Sequence, residues 1–235
     1  MNLLLLHPDD LRPDGTAVID GRRLQHMLKV QRVTTGQQLR AGLLNGMMGQ
    51  ATVEHLDSTQ ALLDLQLDQP APPKLPLTLI LALPRPKMLK RTLQTIASMG
   101  VARLVLVNSF RVEKSFWQTP WLEPANIREQ LLLGLEQACD TVLPEVILEK
   151  RFKPFVEDRL PGLSADSLKL VAHPGGFPEC PRALSEPTTL AIGPEGGWIP
   201  YEVEMLRTAG FQPVQLGPRI LRVETAVPAL IARLF

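Results

Sequence analysis

A chain of 235 residues suits one large or two smaller domains, and 45% hydrophobic with 21% charged residues excludes a disordered chain. No apolar run approaches the roughly 18 residues of a membrane span, and residues 3–6 lack both the length and the basic flank of a signal peptide, so a cytoplasmic protein is expected. The net charge of +1 hides an asymmetry: residues 1–120 carry 14 Lys/Arg against 9 Asp/Glu, and the remainder is net acidic.

Within residues 74–114, eight basic side chains stand against Glu113 alone. Such a stretch suits an RNA phosphate backbone, and equally a solvated surface. Cys139 and Cys180 are too few and too far apart for a disulfide framework or a zinc knuckle, and His7, His26, His55 and His173 form no H-x-x-x-H pair. No metal site is expected.

Residues 1–69 read as a small β-rich domain. Residues 3–6 and 17–19 are short apolar runs. Residues 21–30 place Leu24, Met27 and Leu28 at helical spacing, and residues 38–44 and 47–53 flank the hairpin signal Asn45-Gly46. Residues 61–67 give a further strand, and a compact barrel with one short helix fits. Residues 70–76 hold four prolines, which predict a stiff linker outside any helix or central strand.

From residue 77 to 235 the pattern is α/β. Strands are expected at 77–83, 101–108, 145–148, 168–172, 190–192 and 213–216. Helices are expected at 87–99 (stopped by Gly100), 121–138, near 155–160, at 200–208 and at 223–235, the last with Pro228 near its first turn. Strands alternating with helices imply a mostly parallel sheet.

Ligands of open α/β sheets bind beyond the carboxyl ends of the strands. Three loops lie there: residues 173–176 (HPGG), 193–198 (GPEGGW) and 216–222 (LGPRILR). Three glycines in five residues let a ligand approach bare backbone, although a tight strand-to-helix turn would use them equally. The P-loop, Rossmann and nucleophile-elbow fingerprints are absent, which disfavours a P-loop ATPase, a dinucleotide enzyme and an α/β-hydrolase. Arg222 could offset anionic charge on a base or phosphate, or pair with Glu224. Glu224 or Thr225 could instead cap the last helix.

Residues 192–197 (IGPEGG) and 216–226 (LGPRILRVETA) resemble the two signature motifs of the ribosomal small-subunit methyltransferase E family, in the SPOUT superfamily. His173-Pro174, Glu136-Gln137, residues 26–30 and the basic turn at Arg85-Pro86-Lys87-Met88 are also similar, so the likeness covers essentially the whole chain. It implies a PUA-like β-barrel over 1–69, a Pro-rich linker over 70–76, and an α/β methyltransferase domain with a deep trefoil knot over 77–235. It further implies a homodimer, S-adenosylmethionine as cofactor, and methylation of N3 of a uridine in small-subunit (16S) ribosomal RNA.

Carried onto this sequence, the resemblance implies cofactor contacts at His173, Pro174, Ile192, Gly193, Pro194, Glu195, Gly196, Gly197, Leu216, Gly217, Ile220, Leu221 and Arg222. Arg222 is the candidate for stabilising charge on the uracil ring, with Glu224 a weaker candidate base. RNA contacts are expected from Arg22, Arg23, His26 and Lys29, and from Arg85, Lys87, Lys90 and Arg91. The chain departs from the family at Asp140 and Val142, where basic residues are expected. A different RNA target and a non-catalytic ribosome-assembly protein are the alternatives, with a phosphate-binding metabolic enzyme more distant.

Overall fold

A computed structural model describes residues 2–235. They form two compact units, one made of the chain up to Pro73 together with Leu132–Leu143, the other of Lys74–Leu131 with Pro144–Phe235. The inclusion of Leu132–Leu143 in the first unit has no counterpart in the sequence reading.

In the first unit the strands are β1 (Leu4–Leu6), β2 (Thr16–Ile19), β3 (Gln38–Leu43), β4 (Met48–Leu56) and β5 (Ala61–Gln69). Helix α1 (Gly21–His26) runs on into a π-helical turn, Met27–Gln31. The sheet order is β1-β3-β4-β5-β2, antiparallel except for the β1–β3 pair. One face carries a core that includes Leu4, Leu6, Ile19, Leu63 and, from the helix, Leu24 and Met27. These two are three residues apart, so the helix buries one stripe.

The β3–β4 hairpin turns where Asn45-Gly46 predicted it, with Asn45 alone of the two at positive φ (57°). Its tip is fastened by the 132–143 segment. Asn45 N–H donates to the Thr141 carbonyl (2.8 Å), Thr141 Oγ1 donates to the Gly46 carbonyl (2.7 Å), and Leu143 N–H donates to Asn45 Oδ1 (3.0 Å).

The second unit is a parallel six-stranded sheet in the order β11-β9-β10-β6-β7-β8. Its strands are β6 (Leu75–Ala82), β7 (Val101–Val107), β8 (Glu145–Glu149), β9 (Leu168–Ala172), β10 (Thr188–Ile192) and β11 (Gln212–Val214). All five residues of β10 are buried, as a central strand covered on both faces requires. Helix α2 (Pro86–Ser98) buries Leu89, Leu93, Ile96 and Ala97 along one stripe and packs against the last helix. Gly100 follows it at φ +72°, the left-handed stop expected there. Helix α3 (Pro124–Ala138) starts in this unit and, from Leu132 on, counts with the first; the remaining helices are α4 (Phe152–Pro154), α5 (Leu160–Leu163), α6 (Pro200–Thr208) and α7 (Val223–Leu234), with a π-helical stretch Phe155–Arg159 joining α4 to α5.

Three expectations need correction. The linker ends before residue 76: Pro76 lies inside β6, a central strand. It is tolerated because the β6–β7 register shifts between Leu75 and Thr78, so the ladder does not call on its missing N–H. The helix expected from 121 starts at Pro124, because Trp121 sits in a 3-10 turn (Pro120–Leu122) whose N-cap Thr119 accepts the Trp121 N–H. The strand expected at 213–216 is β11, Gln212–Val214. Beyond it Gln215 makes a single bridge to Glu179, and the chain turns through Gly217 at φ +122°.

Gly49 sits at a register shift between β4 and β5, where a Cβ would collide with the Gln66 carbonyl oxygen. Gly49→Ala is expected to cost roughly 1–3 kcal/mol, the usual penalty of overpacking. Thermal denaturation measures it, and an unchanged midpoint would show that the bulge absorbs the methyl group.

Candidate functional site

The chain leaves β6 towards β7 and β8 on one side, while β10, β9 and β11 lie on the other. The carboxyl ends of neighbouring strands on either side of this reversal leave a crevice, the usual ligand position in an open sheet. The loops after β9, β10 and β11 meet there around a cavity of about 340 Å³. Small-molecule sites span about 300–1,000 Å³.

Every loop residue expected to touch a cofactor lines this cavity except Arg222. Arg222 is the N-cap of α7; its carbonyl accepts the Thr225 and Ala226 N–H groups, and its side chain is exposed outside the cavity walls. Neither Glu224 nor Thr225 is the N-cap residue, and Arg222 makes no side-chain cap bond; Glu224 stands in the first turn, where a negative charge suits the helix's amino end. No ion pair joins Arg222 to Glu224 among the described residues. Glu224 is also outside the walls, whereas Val223, Ala226 and Leu230 of α7 form part of them.

The glycines are needed for close approach. A Cβ on Gly193 would lie 3.0 Å from the Trp198 nitrogen and 3.2 Å from its ring, and Gly197 has φ +75°. The loop between them is held from outside. Arg111, after β7, donates from Nη1 to the Gly196 carbonyl, and Glu195 Oε1 accepts the N–H of Arg85 (3.3 Å), the N-cap of α2.

Glu202, 2% exposed, accepts the Phe110 N–H (2.7 Å) through one carboxylate oxygen and the Ile199 N–H (3.0 Å) through the other. One side chain thus starts α6 and fixes the loop that carries Arg111. A buried carboxylate is tolerated when its oxygens are hydrogen-bonded in this way.

The walls are largely aliphatic and bare backbone, with Arg111, Arg219 and Glu195 as their charged members. Two wall residues hold buried nitrogens that have no partner: Nε1 of Trp198, which is 3% exposed, and Nδ1 of His173. Burial pushes the His173 pKa below its ordinary value, so the ring is neutral at neutral pH. The Trp198 ring packs on Phe152 at 5.6 Å.

Sequence reasoning missed Arg111 and Trp198. Arg111 figured only as one charge in a basic stretch, and Trp198 only as the end of a loop. No group of side chains suited to a metal ion occurs among the described residues, and both cysteines are free. No helix is long and apolar enough to cross a membrane among the described residues.

The expected RNA contacts divide. In the first unit, Arg23 is 12% exposed, pairs with Asp10 (2.5 and 2.8 Å) and also donates to the Leu5 carbonyl (2.9 Å), so its donors are committed to bracing the fold. Arg22 pairs with Glu136 (2.5 Å) and remains half exposed. His26 is partly buried, which lowers its pKa, while Glu136 opposes that shift. Lys29 is exposed.

In the second unit Arg85, Lys87 and Arg91 are exposed, whereas Lys90 lies 4.1 Å over the Trp121 ring. Asp140 is buried, 5% exposed, and its Oδ1 accepts the Val142 N–H (3.0 Å). Its place is a turn after α3, so the loss of a basic residue there does not put a carboxylate on an RNA-facing surface.

The RNA methyltransferase domain family matches residues 71–235. Ribosomal RNA small subunit methyltransferase E of Treponema pallidum (strain Nichols) is 28% identical over 99% of this chain and 90% of its own. The crystal structure of a ribosomal RNA small subunit methyltransferase E from Neisseria gonorrhoeae, bound to S-adenosyl methionine, superposes with a TM-score of 0.75 and 25% identity over 99% of this chain and 95% of that one. A probable rRNA-methyltransferase from Porphyromonas gingivalis shares the fold, with TM-score 0.75, 22% identity and the same coverage. With its fold, its cavity and its sequence in agreement, this chain belongs to the RNA methyltransferase domain family.

Proposed function

We propose that this chain is an S-adenosylmethionine-dependent methyltransferase that methylates N3 of a uridine in small-subunit (16S) ribosomal RNA. The convergence of the loops after β9, β10 and β11 on one glycine-walled cavity carries this reading. The relatives named for this activity match nearly the whole chain, and one of them was crystallised with the methyl donor.

The residues present fit that donor. Ile192, Leu216 and Leu221 offer apolar wall to flat adenosyl rings, and the bare backbone of residues 193–197 and of Gly217 offers N–H and C=O groups to its polar edges. His173 and Trp198 each bring a buried nitrogen that lacks a partner. When bound, the donor supplies an activated methyl group on a sulfonium.

The chain then has to place N3 of the base, exclude water and favour loss of the N3 proton. As N3 takes the methyl carbon, its proton leaves to solvent. The electron pair of the broken carbon–sulfur bond stays on sulfur. Arg222, exposed and flanked by two wall residues, is assigned to the RNA, together with Arg22, Lys29, Arg85, Lys87 and Arg91.

The finer architecture follows the family likeness: a PUA-like barrel in the first unit, a trefoil knot in the second, a homodimer and a cytoplasmic site of action. The mixed five-stranded sheet is consistent with the first, and the meeting of three late loops at one cavity is consistent with the second.

The decisive measurement is 3-methyluridine in digested small-subunit ribosomal RNA from cells with and without the gene. The nucleoside is expected to vanish with the gene and to return on complementation; an unchanged level would refute the assignment. Gly193→Ala is expected to weaken S-adenosylmethionine binding on the order of tenfold in calorimetry, because its methyl must displace Trp198. Wild-type affinity would remove the loop from the donor site.

The half-buried, neutral His173 gives a third outcome. Its folded pKa lies below the unfolded value of about 6.5, so the unfolded state binds more protons as the solution acidifies and stability falls as pH drops below about 6.5. His173→Gln should flatten that part of the profile in melts between about pH 8 and pH 5. A profile of unchanged slope would assign the loss to other groups.

A further inference from the structure

The loop that follows β7 carries two adjacent side chains with opposite characters and a rigid backbone. Phe110 is 78% exposed, although its own N–H is pinned by the buried Glu202. Arg111 lines the cavity and spends one N–H on the Gly196 carbonyl. A guanidinium has five N–H donors, so most of its hydrogen-bonding capacity is left. On the wall contributed by the loop after β11, Ile220 is 83% exposed. A bare aromatic ring next in sequence to a cation of the cavity wall, with an exposed isoleucine on that wall, suits a flat, unstacked base that acquires negative charge as it reacts.

We propose that Phe110 and Arg111 form the subsite for the target base: Phe110 is the platform on which an extruded pyrimidine stacks, and Arg111, in place of Arg222, holds the negative charge left on the ring when N3 loses its proton. This deepens the methyltransferase reading and rests on it. Proteins take single-stranded bases by stacking them on aromatic faces, and they recognise RNA mainly where bases can be splayed out. Positive charge on both the cavity wall, through Arg111 and Arg219, and the exposed α2 face, through Lys87 and Arg91, favours a polyanion here over an apolar protein partner. N3 loses its proton to solvent and then takes the methyl carbon as the donor's carbon–sulfur bond breaks with its electron pair left on sulfur, which neutralises the ring, so Arg111 stabilises an anion that exists only in passing.

Two measurements on the full chain test this. A single-stranded oligoribonucleotide carrying 5-iodouridine is irradiated with the protein and the crosslink is mapped by mass spectrometry. It should fall on Phe110 and be lost in Phe110→Leu; a crosslink confined to other residues overturns the platform. Small-subunit RNA transcribed with uridine or with 5-fluorouridine is then methylated under single-turnover conditions with donor in excess.

The fluorine makes N3–H more acidic, so less help is needed from a cation. Arg111→Gln should slow transfer to uridine on the order of a hundredfold, as loss of one charge-stabilising donor does, and slow transfer to 5-fluorouridine far less. Equal slowing of both substrates would make Arg111 a brace for Gly196 and nothing more. Phe110→Ala should raise the KM for RNA on the order of tenfold with donor affinity unchanged. If that variant instead changes the mass in light scattering and leaves the RNA KM alone, Phe110 belongs to a contact between two copies and the subsite is wrong. If the wild-type chain crosslinks through Phe110 yet methylates no RNA, the base platform stands and the reaction proposed above falls.

Discussion

The site hangs on one buried carboxylate. Glu202 accepts N–H groups from Ile199, at the start of its own helix, and from Phe110, on a loop that leaves a different strand. A carboxyl group this deeply buried needs its oxygens hydrogen-bonded, and leaving one such bond unmade costs about 1–3 kcal/mol or more. The two segments are therefore locked to each other. From that lock follow the position of Arg111, the grip of Arg111 on Gly196, and the path of the glycine loop between β10 and α6. Gly193 completes the arrangement by letting the Trp198 backbone come to within 3.0 Å of where a side chain would begin.

Much of this was legible in the sequence because it was local. β9 and α6 lie where apolar runs and proline placed them, and the three loops after β9, β10 and β11 were marked by their glycines and by their position at strand ends. What escaped was set by partners far away in sequence. Nothing near Arg111 announces that it reaches a carbonyl 85 residues on. Nothing near Pro76 announces that a register shift lets a proline sit in a central strand. Arg222 stands inside the motif, but the motif turns into a helix at that residue and its side chain lies outside the cavity walls.

Charge was the least reliable guide. Arg23 and Arg22 sit side by side in the sequence, yet one is largely covered in its pair with Asp10 and the other is half exposed beside Glu136. Lys90, on the same helix as Lys87 and Arg91, lies over an indole ring. Asp140 looked like a reversal of charge on a binding surface and is a buried turn residue. A count of basic residues measures a field; it does not say which cations are already committed to the fold.

The first unit has a consequence for synthesis. Its hairpin tip and its amino-terminal strand both wait on residues that come much later: the N–H groups of Asn2 and Leu3 bond to the Glu136 carbonyl at 3.0 Å, and Asn45 and Gly46 bond to Thr141 and Leu143. Leaving a ribosome, the chain presents all five strands of this unit before it presents the segment that ties them. All of Lys74–Leu131 must emerge in between. A unit of this kind cannot be finished in the order in which it is made. Its closure carries the entropy of a long loop, and the segment that closes it comes only after part of the second unit has been translated.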